Sequence, residues 1–305
     1  MIIYRHINPN PDHPPSVVTV GSFDGVHLGH RAILDRVVGQ ANRESLASVA
    51  VTFNPHPRKV VGKSDQSLQL LSSLGEKLAR FRELGFSHSL VIPFDREFAA
   101  LSSIAFLERL HAALHIKHFV LGYDHHFGHN REGGLSELKE QGARLGFSVE
   151  QVGPFELGGT VSSSTLIRRA LEKGEVDQAA LFLGRPYEMR GHVVRGDGRG
   201  RQLGFPTANI ELDDPDKLVP ARGVYAVDVC YEEQWYKGMM NIGVRPTFEF
   251  DSLTLEVNLF NFEASIYNEK IVVRLKHFVR PEKKFASVEA LREQLEKDKT
   301  FCENV

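Results

Sequence analysis

The feature that most constrains this chain is a change of hydrophobic rhythm near Pro186. Before it, short apolar runs rich in β-branched residues alternate with longer segments whose apolar residues recur every three or four positions. The runs VVTVGS, ASVAVTF, HSLVIPF, HFVLGYD and FSVEQV read as buried strands. Between them RAILDRVVGQANRE, SLGEKLARFRELG, SSIAFLERLHAALH and LSELKEQGARLG read as amphipathic helices, with Gly85 and Gly146 placed to end the second and the fourth. Strand alternating with helix calls for right-handed crossovers and a parallel sheet covered on its faces. Ligands of such sheets gather at the carboxyl ends of the strands, so the residues after each apolar run are where chemistry is to be sought.

The segments STLIRRALEKG and EVDQAALFLG carry the helical rhythm on to Gly184. From about Met189 the pattern is β with Gly and Pro turns: MRGHVVRG, GVYAVDVCYEEQWYKGMMNIG, LTLEVNLFNFEASIY and KIVVRLKHFVR. Several short strands so punctuated suggest a small barrel, and SVEALREQLEKDK, capped by Ser287, a closing helix. The expected architecture is an α/β Rossmann-like domain with a parallel sheet over residues 1–185, followed by a small β-barrel with a C-terminal helix over residues 186–305.

The chain has 305 residues, 42% of them hydrophobic, which is enough for two cores. Its 37 basic and 39 acidic side chains leave a net charge of -2, so no overall field favours nucleic acid or an anionic membrane, and any phosphate binding is local. The start MIIYRHINPNPDHPP lacks an apolar signal region, and no stretch reaches the roughly 18 uncharged apolar residues of a membrane span, so a cytoplasmic protein is expected. Cys230 and Cys302 lack the spacing of a zinc site and read as free thiols in a reducing compartment. No motif specifies an oligomeric state.

The stretch VGSFDGVHLGH, Val20 to His30, runs from a strand through a glycine turn into a helix. A helix N-terminus presents unpaired N–H groups and a partial positive charge, so it is a natural seat for phosphate. His27 and His30 lie one turn apart, where both rings can point to one side; a phosphate site, a metal site and a packed core pair all fit that spacing. The second unusual stretch, GDGRGRQLGFPTANI, Gly196 to Ile210, joins flexible backbone to basic residues; it fits a phosphate loop or a solvated turn.

GSFDGVHLGH resembles the H-x-G-H signature of nucleotidyltransferases and, in this extended form, that of the bacterial FAD synthetases, the bifunctional riboflavin kinase/FMN adenylyltransferases. Three more segments match that family in order: TFNPHPR (Thr52 to Arg58), GYDHHFGHNREG (Gly122 to Gly133) and VSSSTLIRRAL (Val161 to Leu171). The resemblance implies that Gly21, Phe23, Asp24, His27, His30, His56, Ser163, Ser164, Thr165 and Arg168 surround the phosphates of ATP, with His27 and His30 stabilising the transition state. Phe53, Asp124 and Phe127 would line the flavin end, where His125 replaces the usual Phe.

LGFPTANI is similar to the riboflavin kinase signature of the same proteins, and LEVNLFNF (Leu255 to Phe262) to a later kinase element. By resemblance Gly196, Gly198, Gly200, Gly204 and Pro206 wrap a nucleotide, Thr207 and Asn209 bind Mg²⁺, and Glu256 is the general base. Three departures stand out: Asn258 replaces a usual His, Asn261 a usual Asp, and SIYN at Ser265 to Asn268 a usual DLYG. The implied activity is FAD synthesis from riboflavin, FMN and ATP with Mg²⁺; rival readings are an adenylyltransferase with an inactive flavin-binding C-terminal module, and a non-catalytic flavin or nucleotide sensor.

Overall fold

The computed structural model describes residues 1–62, 68–123, 134–196, 198–246 and 251–305. They form two compact units, Met1–Ser163 and Ser164–Val305, each described by itself.

In the first unit the elements are β1 (Ile2–Tyr4), β2 (Ser16–Val20), α1 (Leu28–Glu44), β3 (Ala47–Asn54), α2 (Pro57–Val61), α3 (Leu74–Glu83), β4 (His88–Pro93), α4 (Arg96–Ala99), α5 (Ser103–Leu114), β5 (Ile116–Gly122), α6 (Leu135–Leu145), β6 (Ser148–Val152), β7 (Glu156–Leu157) and β8 (Thr160–Val161). Among the described residues six parallel strands make one sheet in the order β1-β4-β3-β2-β5-β6. Successive strand residues face opposite sides. Thus Val18, Val49 and Leu90 pack with Phe106, Leu107 and Leu110 of α5, while Val17, Ala50 and Val91 pack with Leu34 and Val37 of α1 and Phe81 of α3. Burial on both faces explains why these strands read as continuous apolar runs.

The five strands expected from the sequence are present, and β1 is an addition. Its three residues pair with His88–Leu90 at the sheet edge, too short a run to show a period of its own. After β2 the chain moves to β3 on one side, while β5 lies on the other. The carboxyl ends of β2 and β5 therefore flank the topological switch point, where a doubly wound sheet opens its ligand crevice.

The second unit contains α7 (Ser164–Glu172), α8 (Val176–Leu183), β9 (Tyr187–Val194), α9 (Arg199–Gln202), β10 (Ala208–Leu212), β11 (Gly223–Tyr231), β12 (Gln234–Pro246), β13 (Asp251–Leu259), β14 (Lys270–Arg280) and α10 (Val288–Glu303). Among the described residues its six strands close into an antiparallel barrel, β10-β13-β12-β11-β14-β9. Alternate residues such as Leu255, Val257 and Leu259 on β13, and Ile271, Val273 and Leu275 on β14, are buried as the closed sheet requires. Ser287 caps α10 as expected, accepting the Ala290 N–H. Asp298 of α10, almost fully buried, accepts three hydrogen bonds from the Nε and Nη2 groups of Arg280 at 2.7–3.1 Å.

The helices α7 and α8 differ from the expected grouping, which ends the first domain at residue 185. They belong to the barrel unit. Val176, Ala179, Phe182 and Leu183 are buried, and α8 lies against β14 and β9. A helical period reports an apolar face without naming the sheet that covers it.

Candidate functional site

The sharp turn after β2 is built by residues that the core holds in place. Phe23, Gly25 and Val26 all have positive φ, at 46°, 83° and 42°. For a β-branched residue such as Val26 this is an uncommon conformation, and it turns the chain abruptly from strand to helix. A side chain at Gly21 would meet the Phe23 ring at 2.8 Å. Phe23 is buried and packs edge-on against His30 (5.4 Å) and Phe81 (5.7 Å), so it supports the histidine from behind. Asp24 is also buried, and its carboxylate accepts the N–H groups of Leu71 and Ser72 at 3.1 and 3.0 Å. Its visible work is to tie the turn to the segment before α3.

His27 caps α1. Its Nδ1 accepts the His30 N–H at 3.4 Å and lies 3.2 Å from Ser162 Oγ, which places its ring proton on Nε2 as a donor. The His27 and His30 rings are stacked with centroids 3.7 Å apart. A methyl at Gly29 would press on the His27 ring at 3.1 Å and on the Ser162 carbonyl at 3.2 Å, so the small residue between the histidines lets the cap close. Burial, then His27, then Lys77 hold the His30 pKa well below the usual imidazole value, and its buried Nδ1 has no hydrogen-bond partner among the described residues. His30, desolvated and stacked on His27, is therefore neutral near pH 7, and a phosphate would be met by ring N–H donors rather than by an imidazolium at that position.

His56 follows β3, whose end adjoins that of β2, and caps α2 by accepting the Arg58 N–H at 3.2 Å on Nδ1. Phe53 lies in an aromatic group with Phe94 (5.4 Å) and Phe98 (6.2 Å). Ser163 ends the first unit; Ser164, Thr165 and Arg168 occupy the first turns of α7 in the second. Asp124, His125 and Phe127 fall outside the described residues.

Sequence reading passed over Lys77. It is 5% exposed, and its Nζ donates to Thr52 Oγ1 at 3.2 Å, while Thr52 donates to the Ser22 carbonyl at 3.3 Å. Burial pushes its pKa down to about 8 against the opposing pull of Asp24. The overlooked signal was its spacing: Lys77 stands three residues after Leu74 and four before Phe81, on the apolar stripe of α3.

In the barrel, three polar residues stand in register across neighbouring strands: Asn209 on β10, Glu256 on β13 and Asn241 on β12. Thr207 Oγ1 donates to Glu256 Oε2 at 3.3 Å. The loop from β9 packs on this group without side chains: a methyl at Gly196 would overlap the Asn209 amide, and one at Gly200 would meet the Phe205 carbonyl and Thr207 Oγ1. Gly198 and Gly204 have φ of 68° and 85°, conformations that glycine adopts freely. Beside them a cavity of about 410 Å³ is lined by Arg201, Pro206, Thr207, Phe262, Ile266 and Tyr267 among others.

The departures now have physical roles. Asn258 is buried, and its Nδ2 donates to the Pro206 carbonyl at 2.6 Å, pinning the residue before Thr207. Asn261 and Asn268 have φ of 54° and 65°, which asparagine tolerates better than most residues. Asn268 thus fills the turn position where the resembling family has glycine.

Among the described residues no cluster of three or more His, Cys, Asp or Glu could hold a metal, and no helix is long and apolar enough to cross a membrane. Cys230 and Cys302 are free.

The FAD synthetase family model matches residues 10–166 and the riboflavin kinase model residues 183–305. A Listeria monocytogenes protein named bifunctional riboflavin kinase/FMN adenylyltransferase is 39% identical over 283 residues, 92% of this chain and 90% of its own. A Bacillus subtilis protein of the same name is 35% identical over 303 residues, covering 98% and 95% of the two chains. A crystal structure from Streptococcus pneumoniae, named for a macrolide-efflux protein, is 32% identical with a TM-score of 0.92 and full coverage of both chains. With both family models matched in sequence order, and relatives aligned along nearly their whole length, the chain belongs to the bifunctional riboflavin kinase/FMN adenylyltransferase family.

Proposed function

We propose that the chain makes FAD in two ATP-dependent steps, phosphorylation of riboflavin in residues 186–305 and adenylylation of FMN in residues 1–185. In the first step the ribityl hydroxyl attacks the γ-phosphorus of ATP, its proton passes to Glu256, and ADP leaves. A carboxylate is the fitting group, because the hydroxyl becomes nucleophilic only as its proton is taken. The observation that carries this reading is the Thr207–Glu256 hydrogen bond at 3.3 Å, with Asn209 in register beside it under a glycine-built loop.

Thr207 and Asn209 offer neutral oxygens, which suit Mg²⁺ when ATP phosphates and water complete its shell. Bound there, the ion would neutralise charge on the transferring phosphoryl group. Gly196→Ala is expected to displace the Asn209 amide, raising the Mg²⁺ concentration needed for FMN formation roughly tenfold. Titration of initial rates against Mg²⁺ checks this, and FAD formation from supplied FMN should stay unchanged.

In the second step a phosphate oxygen of FMN attacks the α-phosphorus of ATP and pyrophosphate leaves. The enzyme needs no nucleophile of its own; it aligns the reactants and stabilises the developing charge. The His27 Nε2 proton, the stacked His30 and the cap at His56 support an anion site at the ends of β2 and β3. By resemblance Ser163, Ser164, Thr165 and Arg168 would serve the phosphates, and Phe53, Asp124 and Phe127 the flavin.

The test is incubation of the purified protein with riboflavin, ATP and Mg²⁺, the flavins being resolved by chromatography. FMN followed by FAD is expected. FAD from supplied FMN without FMN from riboflavin would reduce the C-terminal unit to a flavin-binding module.

A further inference from the structure

Lys77 is a buried cation to which the chemistry above gives no task. An ammonium inside an apolar helix face persists only where hydrogen bonds and opposite charge offset its loss of water. Here Nζ donates to Thr52 at the end of β3, Thr52 donates to the Ser22 carbonyl, and the Asp24 carboxylate supplies the opposing charge. Asp24 is itself fixed by the Leu71 and Ser72 amides. This chain of contacts joins α3 and β3 to the turn that carries His27 and His30.

We propose that Lys77 is a positioning residue for adenylyl transfer: its buried ammonium holds the turn after β2 through Thr52 and Ser22, and sets a fixed positive charge behind His30 that draws an anionic triphosphate onto the histidine pair. The inference rests on the reading of that turn as the ATP site. The charged and titratable groups that act on His30 are His27 from the helix cap and Lys77 from α3, and Asp24 from the turn acts in its turn on Lys77. Lys77, with its pKa pushed down to about 8, is charged at neutral pH and loses its proton in mild alkali. An arriving triphosphate favours the charged form, so the KM for ATP in FAD formation should rise as the pH climbs above about 8.

The deciding measurement uses the full chain labelled with ¹³C at lysine Cε, the Lys77 signal being identified by its loss in Lys77→Arg. The wild-type signal is followed through alkaline pH with and without α,β-methylene-ATP and Mg²⁺. An upward move of the Lys77 inflection by about one pH unit or more is expected, and an unmoved inflection overturns the proposal. Lys77→Met should raise the KM for ATP roughly tenfold near pH 7, flatten its alkaline rise and change kcat much less. FMN formation should be untouched. A variant with wild-type KM and the wild-type alkaline rise also overturns it, and the wild-type titration decides the matter should the variant not fold. Wild-type protein that makes no FAD from FMN and ATP would sink the ATP-site reading and this inference together; FAD formation with an unmoved inflection sinks the inference alone.

Discussion

Glu256→Gln is expected to slow FMN formation from riboflavin by about 10²- to 10⁴-fold, the range over which a general base contributes. The amide keeps the shape of the side chain and an oxygen to accept the Thr207 hydroxyl, so the barrel and its loop should remain as they are. What is lost is the ability to take a proton. FAD formation from supplied FMN should continue at the wild-type rate, because Glu256 belongs to the barrel unit and the histidine pair to the parallel-sheet unit. Chromatographic initial rates for each step separate the outcomes, and equal loss of both activities would refute two independent sites.

The second large effect is expected at His27, whose two ring nitrogens serve different ends. Nδ1 caps α1, a function asparagine performs equally well, whereas under the proposed function the Nε2 proton is the group offered to phosphate. His27→Asn should therefore lower FAD formation by about 10²- to 10³-fold, as loss of a transition-state donor does, with little change in thermal stability. His27→Ala should show the same kinetic loss and in addition cost about 1 kcal/mol of stability, because the His30 N–H is left uncapped. Rates of FAD formation and thermal melts of both variants test the division. An asparagine variant that makes FAD at the wild-type rate would remove His27 from the phosphate site.

Some site residues read from the motif also serve their neighbours. Phe23 and Asp24 stand in the most recognisable segment of the chain, yet their side chains face the interior, one behind His30 and the other on the Leu71 and Ser72 amides. The amphipathic pattern of α3 was plain in the sequence, but that pattern gave no task to the lysine on its apolar side. Only the packing of α3 beneath the turn after β2 gives that lysine Thr52 as a partner and Asp24 as a counter-charge. Asn258 looked like the loss of a titratable group, while its contact with the Pro206 carbonyl shows a donor that shapes the loop.

The sequence by itself determined the order of elements, the change from α/β to β near Pro186 and the segments that carry chemistry. Hydrophobic period, caps and turn residues act over a few positions, and those signals are written locally. The tertiary structure decided which sheet α7 and α8 accompany, the edge pairing of β1, the placement of Glu256 between Asn209 and Asn241, and the burial of Lys77. Each of these depends on contacts between residues far apart in the chain, whose partners no local period specifies.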